Sequence, residues 1–310
     1  MAYQHLFGPV PSRRLGISLG IDLVPHKVCS FDCVYCECGQ TTDLTCERRE
    51  YVPTDGVIAE LDDFLARAPD LDYVTFAGSG EPTLHSGIGE IIAFIKDRYP
   101  RYRVAVLTNS SLLTDPDVRG ALMRADLVVP SLDAVSDEVF RQINRPCPGL
   151  TAGGVLAGVT AFVREFPGEV WLEVFIVPGV NDTEEELLRI RDAVAAIGPD
   201  RVQVNTLDRP GAEIWVTPAS PRTLERIAAL LGGNVEVIGS ACAGPAVLPD
   251  VREALESILA TIRRRPCTSG DLAVLLGLRP AEVSKCLRVL EATGMVEPVQ
   301  EKRGVFYRVV

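Results

Sequence analysis

Short β-branched runs alternate with helical patterns along most of the chain. Strands are predicted near 17–24, 72–77, 103–108, 126–131, 169–177 and 201–206. Helices are predicted between them, near 54–67, 86–98, 115–124, 151–165 and 183–196, with Thr54 and Thr183 as N-caps. A helix over 221–231 and a strand over 234–238 close this part. Such alternation marks βαβ units and a parallel sheet. Six strand–helix repeats are too few for an eight-fold barrel, so the expected fold is α/β, an open partial (β/α)6 barrel.

Gly244, Pro245 and Pro249 then break the chain, which divides it into domains over 1–249 and 250–310. The second is predicted to run helix (250–263), helix (268–276), the turn GLRP, helix (280–293) and a two-strand hairpin with Arg303-Gly304 at its tip. That order is a winged helix-turn-helix. Cys267 and Cys286 lie beside apolar residues there and read as packing.

Composition limits what such a protein does. The chain is 47% hydrophobic and 24% charged, enough apolar residues for a sizeable core. The net charge of −11 is uneven, with 21 basic and 34 acidic residues over 1–249 but 10 and 8 over 250–310. A large nucleic-acid footprint would be more basic. The longest uncharged run, 146–163, holds two prolines and four glycines and does not read as a membrane span. Arg13-Arg14 lacks the tail of an export signal, so a cytoplasmic location is expected.

Nine cysteines with no export pattern point to metal rather than disulfides. Cys29, Cys33 and Cys36 form Cys-x3-Cys-x2-Cys in VCSFDCVYCECG. Thiolates are the usual ligands of Fe–S clusters, which normally take four. Three on one loop would leave one iron of a [4Fe–4S] cube open to a chelating molecule. Zinc is the alternative; it needs four protein ligands, and Cys38 or Cys46 would complete the set.

This spacing, with Tyr35 directly before the third cysteine, resembles the signature of the radical S-adenosylmethionine (SAM) superfamily. The resemblance implies that SAM chelates the open iron through its amino and carboxylate groups. An electron, from an external donor such as flavodoxin or ferredoxin, would then cleave SAM to methionine and a 5′-deoxyadenosyl radical that abstracts substrate hydrogen. Tyr35 would pack near the adenine or serve as a core aromatic.

Ligands of parallel α/β barrels sit at the C-terminal strand ends, so those ends are a second source of candidates. Gly78-Ser79-Gly80-Glu81-Pro82 resembles the superfamily's Gly-Gly-Glu motif, with Glu81 placed to accept from an ammonium group. Thr108-Asn109-Ser110, Ser131-Leu132-Asp133 and Asn205-Thr206 end later strands, and Glu173 lies on the fifth. Pro178-Gly179-Val180-Asn181-Asp182 resembles the family's adenine-side loop. Each is also an ordinary turn or cap taken alone. Cys147, between Pro146 and Pro148, is the extra thiol best placed to meet substrate as a catalytic group. The separations of Cys38, Cys46, Cys147 and Cys242 lack a compact ligand motif, so these four are expected to be isolated thiols rather than the ligands of an auxiliary cluster.

Residues 7–40 with GSGEPTL, SLDA and INRP resemble a subgroup of radical SAM proteins related to wyosine-type tRNA-modifying synthases. Those enzymes use a lysine for carbonyl chemistry. This chain has only Lys27, Lys96, Lys285 and Lys302, and of these only Lys27 is near the cysteine loop. Identical chemistry is therefore not expected. Two functions compete: a radical SAM enzyme acting on RNA, a peptide or protein, or a small molecule, and an Fe–S redox sensor binding DNA through the winged helix. In 280–293, Lys285 and Arg288 are balanced by Glu282 and Glu291, so a partner is expected to meet Arg263–Arg265 and Lys302-Arg303 instead. Residues 250–310 are expected to recruit that partner and take no part in SAM cleavage.

Overall fold

The computed structural model describes residues 3–209, 211–238, 251–278, 280–301 and 303–310. The chain opens with β1 (Leu6–Ser12), antiparallel to β2 (Gly16–Ile21). A loop follows whose two-residue strands β3 (Val28–Cys29) and β4 (Asp43–Leu44) pair with each other. Strands and helices then alternate: α1 (Thr54–Leu65), β5 (Tyr73–Phe76), α2 (Ile88–Arg98), β6 (Arg103–Thr108), α3 (Pro116–Leu122) and β7 (Leu127–Pro130). After these come α4 (Asp137–Ile143), α5 (Ala152–Glu165), β8 (Glu169–Ile176), α6 (Glu184–Ile197), β9 (Arg201–Thr206), α7 (Pro221–Leu231) and β10 (Val235–Val237).

Eight strands form one mixed sheet in the order β1-β2-β5-β6-β7-β8-β9-β10. Every neighbouring pair from β2 onward is parallel. The two edges, β1 and β10, do not meet, so the sheet stays open and matches a partial barrel. Helices cover its outer face with apolar stripes. On α2, Ile88, Ile91, Ile92 and Ile95 follow helical spacing and are all fully buried, each worth roughly 1.5–3 kcal/mol against exposure. Among the described residues no helix is long and apolar enough to cross a membrane.

The C-terminal elements are α8 (Val251–Arg264), β11 (Cys267–Thr268), α9 (Ser269–Leu276), α10 (Pro280–Ala292), β12 (Val296–Glu301) and β13 (Gly304–Val309). They enclose a small core of their own that includes Ile258, Leu272, Leu287, Phe306 and the buried Cys267 and Cys286. A full capping box, with Thr268 and Asp271 exchanging bonds, starts α9.

Two local expectations change and one holds. Thr54 does not cap α1: Pro53 holds the cap position, and the Thr54 amide donates to Glu50 instead. Thr183 does cap α6, accepting from the Glu186 amide. The C-terminal hairpin is a three-stranded sheet, because Cys267–Thr268 pairs with β13. The Gly244–Pro249 break and Cys242 lie outside the described residues.

Candidate active site

The three cysteines of the motif come together on the loop between β2 and α1. Cys29 and Cys33 are each 9% exposed and Cys36 is half-buried. Two asparagines from other rim segments donate to their sulfurs: Asn109 Nδ2 to Cys29 Sγ and Asn144 Nδ2 to Cys33 Sγ, both at 3.5 Å. Lys27, only 2% exposed, donates from Nζ to the Gly39 carbonyl at 2.7 Å and also bonds the Cys36 thiol.

The metal-free thiols differ in acidity. Burial pushes Cys29 up to about 12 and Cys33 well above the usual thiol range. Cys36 goes down instead, because Cys38 donates to it and the Lys27 ammonium stands beside it. Burial by itself would lower the Lys27 pKa, but the neighbouring Cys36, Cys29 and Cys33 thiolates outweigh it and the net shift is upward.

This donor set fits an Fe–S cluster, with three thiols on one loop, two amide donors to sulfur and one buried cation against the negative charge. Of the two thiols that would complete a zinc set, Cys46 faces Cys147, while Cys38 bonds Cys36. Among the described residues no three His, Cys, Asp or Glu side chains converge as a single-ion site. A cluster does not require such convergence, since each thiolate binds a different iron.

The Gly78–Glu81 turn at the end of β5 is built against the cysteine loop. Gly78 has φ +136°, and a Cβ there would lie 2.6 Å from the Asp22 carboxyl. Asp22 accepts from the Ser79 amide and, at 2.7 Å, from its hydroxyl. At Gly80 a Cβ would stand 1.8 Å from the Val28 carbonyl oxygen, which accepts the Glu81 amide. Glycine is needed here for close approach of two backbones. Glu81 is 2% exposed and accepts four hydrogen bonds. Thr83 N (3.1 Å), Thr83 Oγ1 (2.6 Å) and Thr108 Oγ1 (2.7 Å) reach Oε1, and Asn109 N (2.7 Å) reaches Oε2. Burial raises its pKa, and those donors hold the rise in check. The carboxylate thus ties β5, β6 and, through Asn109, the cluster loop.

Farther round the rim, Asp133 accepts from Tyr35 OH (2.5 Å), Asn144 Nδ2 (2.8 Å) and the Phe175 amide (2.9 Å). Burial raises its carboxyl to about 6. Tyr35 stacks on Phe175, ring centroids 3.8 Å apart, so its ring already has a protein partner. Asn181 is fully buried and bonds the Asp133 and Phe175 carbonyls and the Val177 amide, which fixes the loop after Pro178.

Ser131, Glu173 and Asn205 meet on the concave face. Ser131 Oγ and Asn205 Nδ2 donate to Glu173, which pairs with Arg14 at 2.9 Å. Burial opposes ionisation of Glu173, but the Arg14 charge prevails and its pKa falls. Lys27, Asp22, Asn144 and Arg14 were not anticipated as site residues. Asn144, in the INRP segment, and Lys27, beside the motif, carried a sequence signal; Arg14 and Asp22 fall within the 7–40 stretch, but nothing local marked their roles.

Cys147 is tied to the cluster loop by its amide, which donates to the Ser30 carbonyl at 2.8 Å, and its thiol bonds Cys46. Cys46 and Cys147 thus lie side by side, and Cys38 Sγ lies 3.5 Å from the Gly78 carbonyl oxygen. Arg145 pairs with Glu213 at 2.6 Å, and buried His85 bonds the Val52 carbonyl. The C-terminal elements pack against the rim. Arg264 stands 3.8 Å from Asp22, the residue holding the Ser79 turn. Arg303, expected to be free at the wing, bonds Asp208 and Asp271 instead.

A cysteine loop, a glycine-rich turn and polar strand ends on one open parallel sheet define a class. The family model for the radical SAM superfamily matches residues 23–190, and the chain belongs to that superfamily. Its proteins use a [4Fe–4S] cluster and SAM. The chain is 35% identical over 235 residues to UPF0026 protein MJ1312 of Methanocaldococcus jannaschii, covering 75% of this chain and 72% of that one. It is 36% identical over 295 residues to the GTPase Obg of Brachyspira hyodysenteriae, covering 94% of this chain but 43% of that protein, so it spans less than half of that relative. In fold it is similar to a radical SAM methyltransferase from Sphaerobacter thermophilus, with TM-score 0.54 and 18% identity over 71% of this chain and 65% of that one.

Proposed function

We propose that the protein is a radical SAM enzyme in which Cys29, Cys33 and Cys36 are the only protein ligands of one [4Fe–4S] cluster. When bound, cluster and SAM together supply a 5′-deoxyadenosyl radical, which removes hydrogen from a substrate. The observation that carries this reading is the hydrogen-bonded continuity between thiols and rim, through Asn109 to Cys29 and Asn144 to Cys33. Lys27 offsets the negative charge of the thiolates. Gly78, Ser79 and Gly80 bring the turn close enough to line the methionine end of SAM, and Glu81 holds that turn while its less-occupied Oε2 faces the ammonium group. Thr108, Asn109, Ser131, Asp133, Glu173 and Asn205 order the polar rim for ribose and carboxylate, and the Pro178–Asn181 loop borders the adenine.

Residues 1–249 are the catalytic domain and 250–310 a winged helix-turn-helix domain. Through Arg264, α8 meets Asp22, so on this reading the second domain borders the Ser79 turn as well as recruiting a partner. Kinship with wyosine-type synthases rests on the quoted motifs, without the lysine chemistry. The test is anaerobic reduction with dithionite in the presence of SAM. 5′-Deoxyadenosine is expected from the wild type and none from Cys36→Ala. Equal yields from both would defeat the proposal.

A further inference from the structure

Two cavities meet beside the cysteine loop. The inner one, about 290 Å³, lies on the concave face of the sheet against Ser18, Thr75 and Leu107. The outer one, about 1100 Å³, lies between residues 207–209 and 211–218 on one side and the C-terminal elements on the other, with Val216, Ile262, Val299 and Phe306 among its apolar walls. Arg209, Arg264, Arg265 and Cys38 line both, so they stand at the junction. Arg13 lines the inner cavity too.

These arginines are poorly satisfied. Arg209 is 4% exposed, and its Nε, like that of Arg264, is buried with no hydrogen-bond acceptor. Their nearest carboxylates are ion pairs beyond hydrogen-bond reach: Arg209 Nε to Asp271 at 3.9 Å and Arg264 Nε to Asp22 at 3.8 Å. Glu37 occupies only Arg209 NH1, at 3.3 Å. Arg13 reaches Asp208 no closer than 3.9 Å, and no carboxylate among the described residues pairs with Arg265. Arg14 shows the contrast, with a close partner in Glu173 at 2.9 Å. Arg264 also donates from NH1 to the Ala260 carbonyl at 3.2 Å, so what the junction offers is four guanidinium groups lining a cavity without a close bidentate carboxylate. Such a cluster selects an oxyanion, carboxylate or phosphate, which accepts through two oxygens.

We propose that the substrate is an anionic organic molecule whose carboxylate or phosphate is held by Arg13, Arg209, Arg264 and Arg265 at this junction. Its apolar body lies in the outer cleft, and the carbon to be attacked points past Cys38 toward the SAM site. This inference rests on the radical SAM reading, in which SAM's own carboxylate is committed to iron and leaves these arginines for another anion.

The test uses the full-length, cluster-reconstituted protein under anaerobic conditions with saturating SAM. Phenyl phosphate, phenylacetate and neutral 2-phenylethanol are titrated calorimetrically. At least one anion is expected to bind and the alcohol not to; the tighter anion names the group. Arg265→Gln and Arg13→Gln should each weaken the anion by about tenfold while cluster absorbance and SAM affinity stay unchanged. Failure of both anions to bind, undiminished affinity in both variants, or displacement of the anion by SAM would each overturn the proposal. 5′-Deoxyadenosine formation is followed in the same samples. Cleavage without anion binding defeats this inference alone, and anion binding without cleavage defeats the radical SAM reading.

Discussion

Glu81→Ala separates a carboxylate that merely contacts a ligand from one that holds the rim together. The wild-type side chain accepts two backbone amides, Thr83 N and Asn109 N, and two hydroxyls, Thr83 Oγ1 and Thr108 Oγ1. The hydroxyls can rotate to other acceptors; the amides are fixed. A buried donor left without an acceptor costs about 1–3 kcal/mol, so two cost roughly 2–6 kcal/mol. Removing a buried carboxylate whose pKa burial raises returns part of that. A net loss of about 2 kcal/mol or more is expected against a typical stability of roughly 5–15 kcal/mol, so the variant still folds. Freed Asn109 no longer steadies Cys29, and iron retention should fall with stability. The assay is urea unfolding of metal-free protein at neutral pH, with iron counted after reconstitution. A variant within about 0.5 kcal/mol of wild type, a typical surface effect, and holding full iron would refute this reasoning.

Gly80→Ala places a methyl against the Val28 carbonyl, so a loss of about 1–3 kcal/mol and depleted iron are expected; full iron retention would show that the turn gives way. Lys27→Met removes the buried cation beside Cys36, and an electron-paramagnetic-resonance redox titration should find the reduction potential lowered by about 60 mV or more, a tenfold change for one electron; an unmoved potential would mean the charge is screened. Asp133 has a folded pKa of about 6 against an ordinary value of 3.8, so its burial is a penalty above pH 6 that disappears as it protonates. Metal-free wild type should therefore gain about 2 kcal/mol relative to Asp133→Asn as pH falls from about 6 to about 4. Parallel stability curves for the two proteins would rule that titration out.

The six central strands were legible because each is a compact β-branched run followed by a helix-forming stretch, and their polar ends named most of the rim. What escaped was short or long-range. β1, LFGPVPS, carries two prolines and a glycine, tolerable only because it is an edge strand. α4 spans seven residues and buries only Phe140 and Ile143, too little for a periodic signal. The motif marked Glu81 as a ligand group, but its four protein donors come from three separate residues that only folding assembles. Likewise nothing local to Arg264 or Asp22 announces that α8 closes on the Ser79 turn.

The central claim is a three-cysteine cluster with one iron open to SAM. Mössbauer spectroscopy of protein reconstituted with ⁵⁷Fe, recorded before and after adding SAM, addresses it most directly. About four irons per chain are expected, one of which changes its spectrum when SAM binds, and Cys36→Ala should lose that spectrum. Stoichiometric zinc without iron, about eight irons per chain, or four irons indifferent to SAM would contradict it.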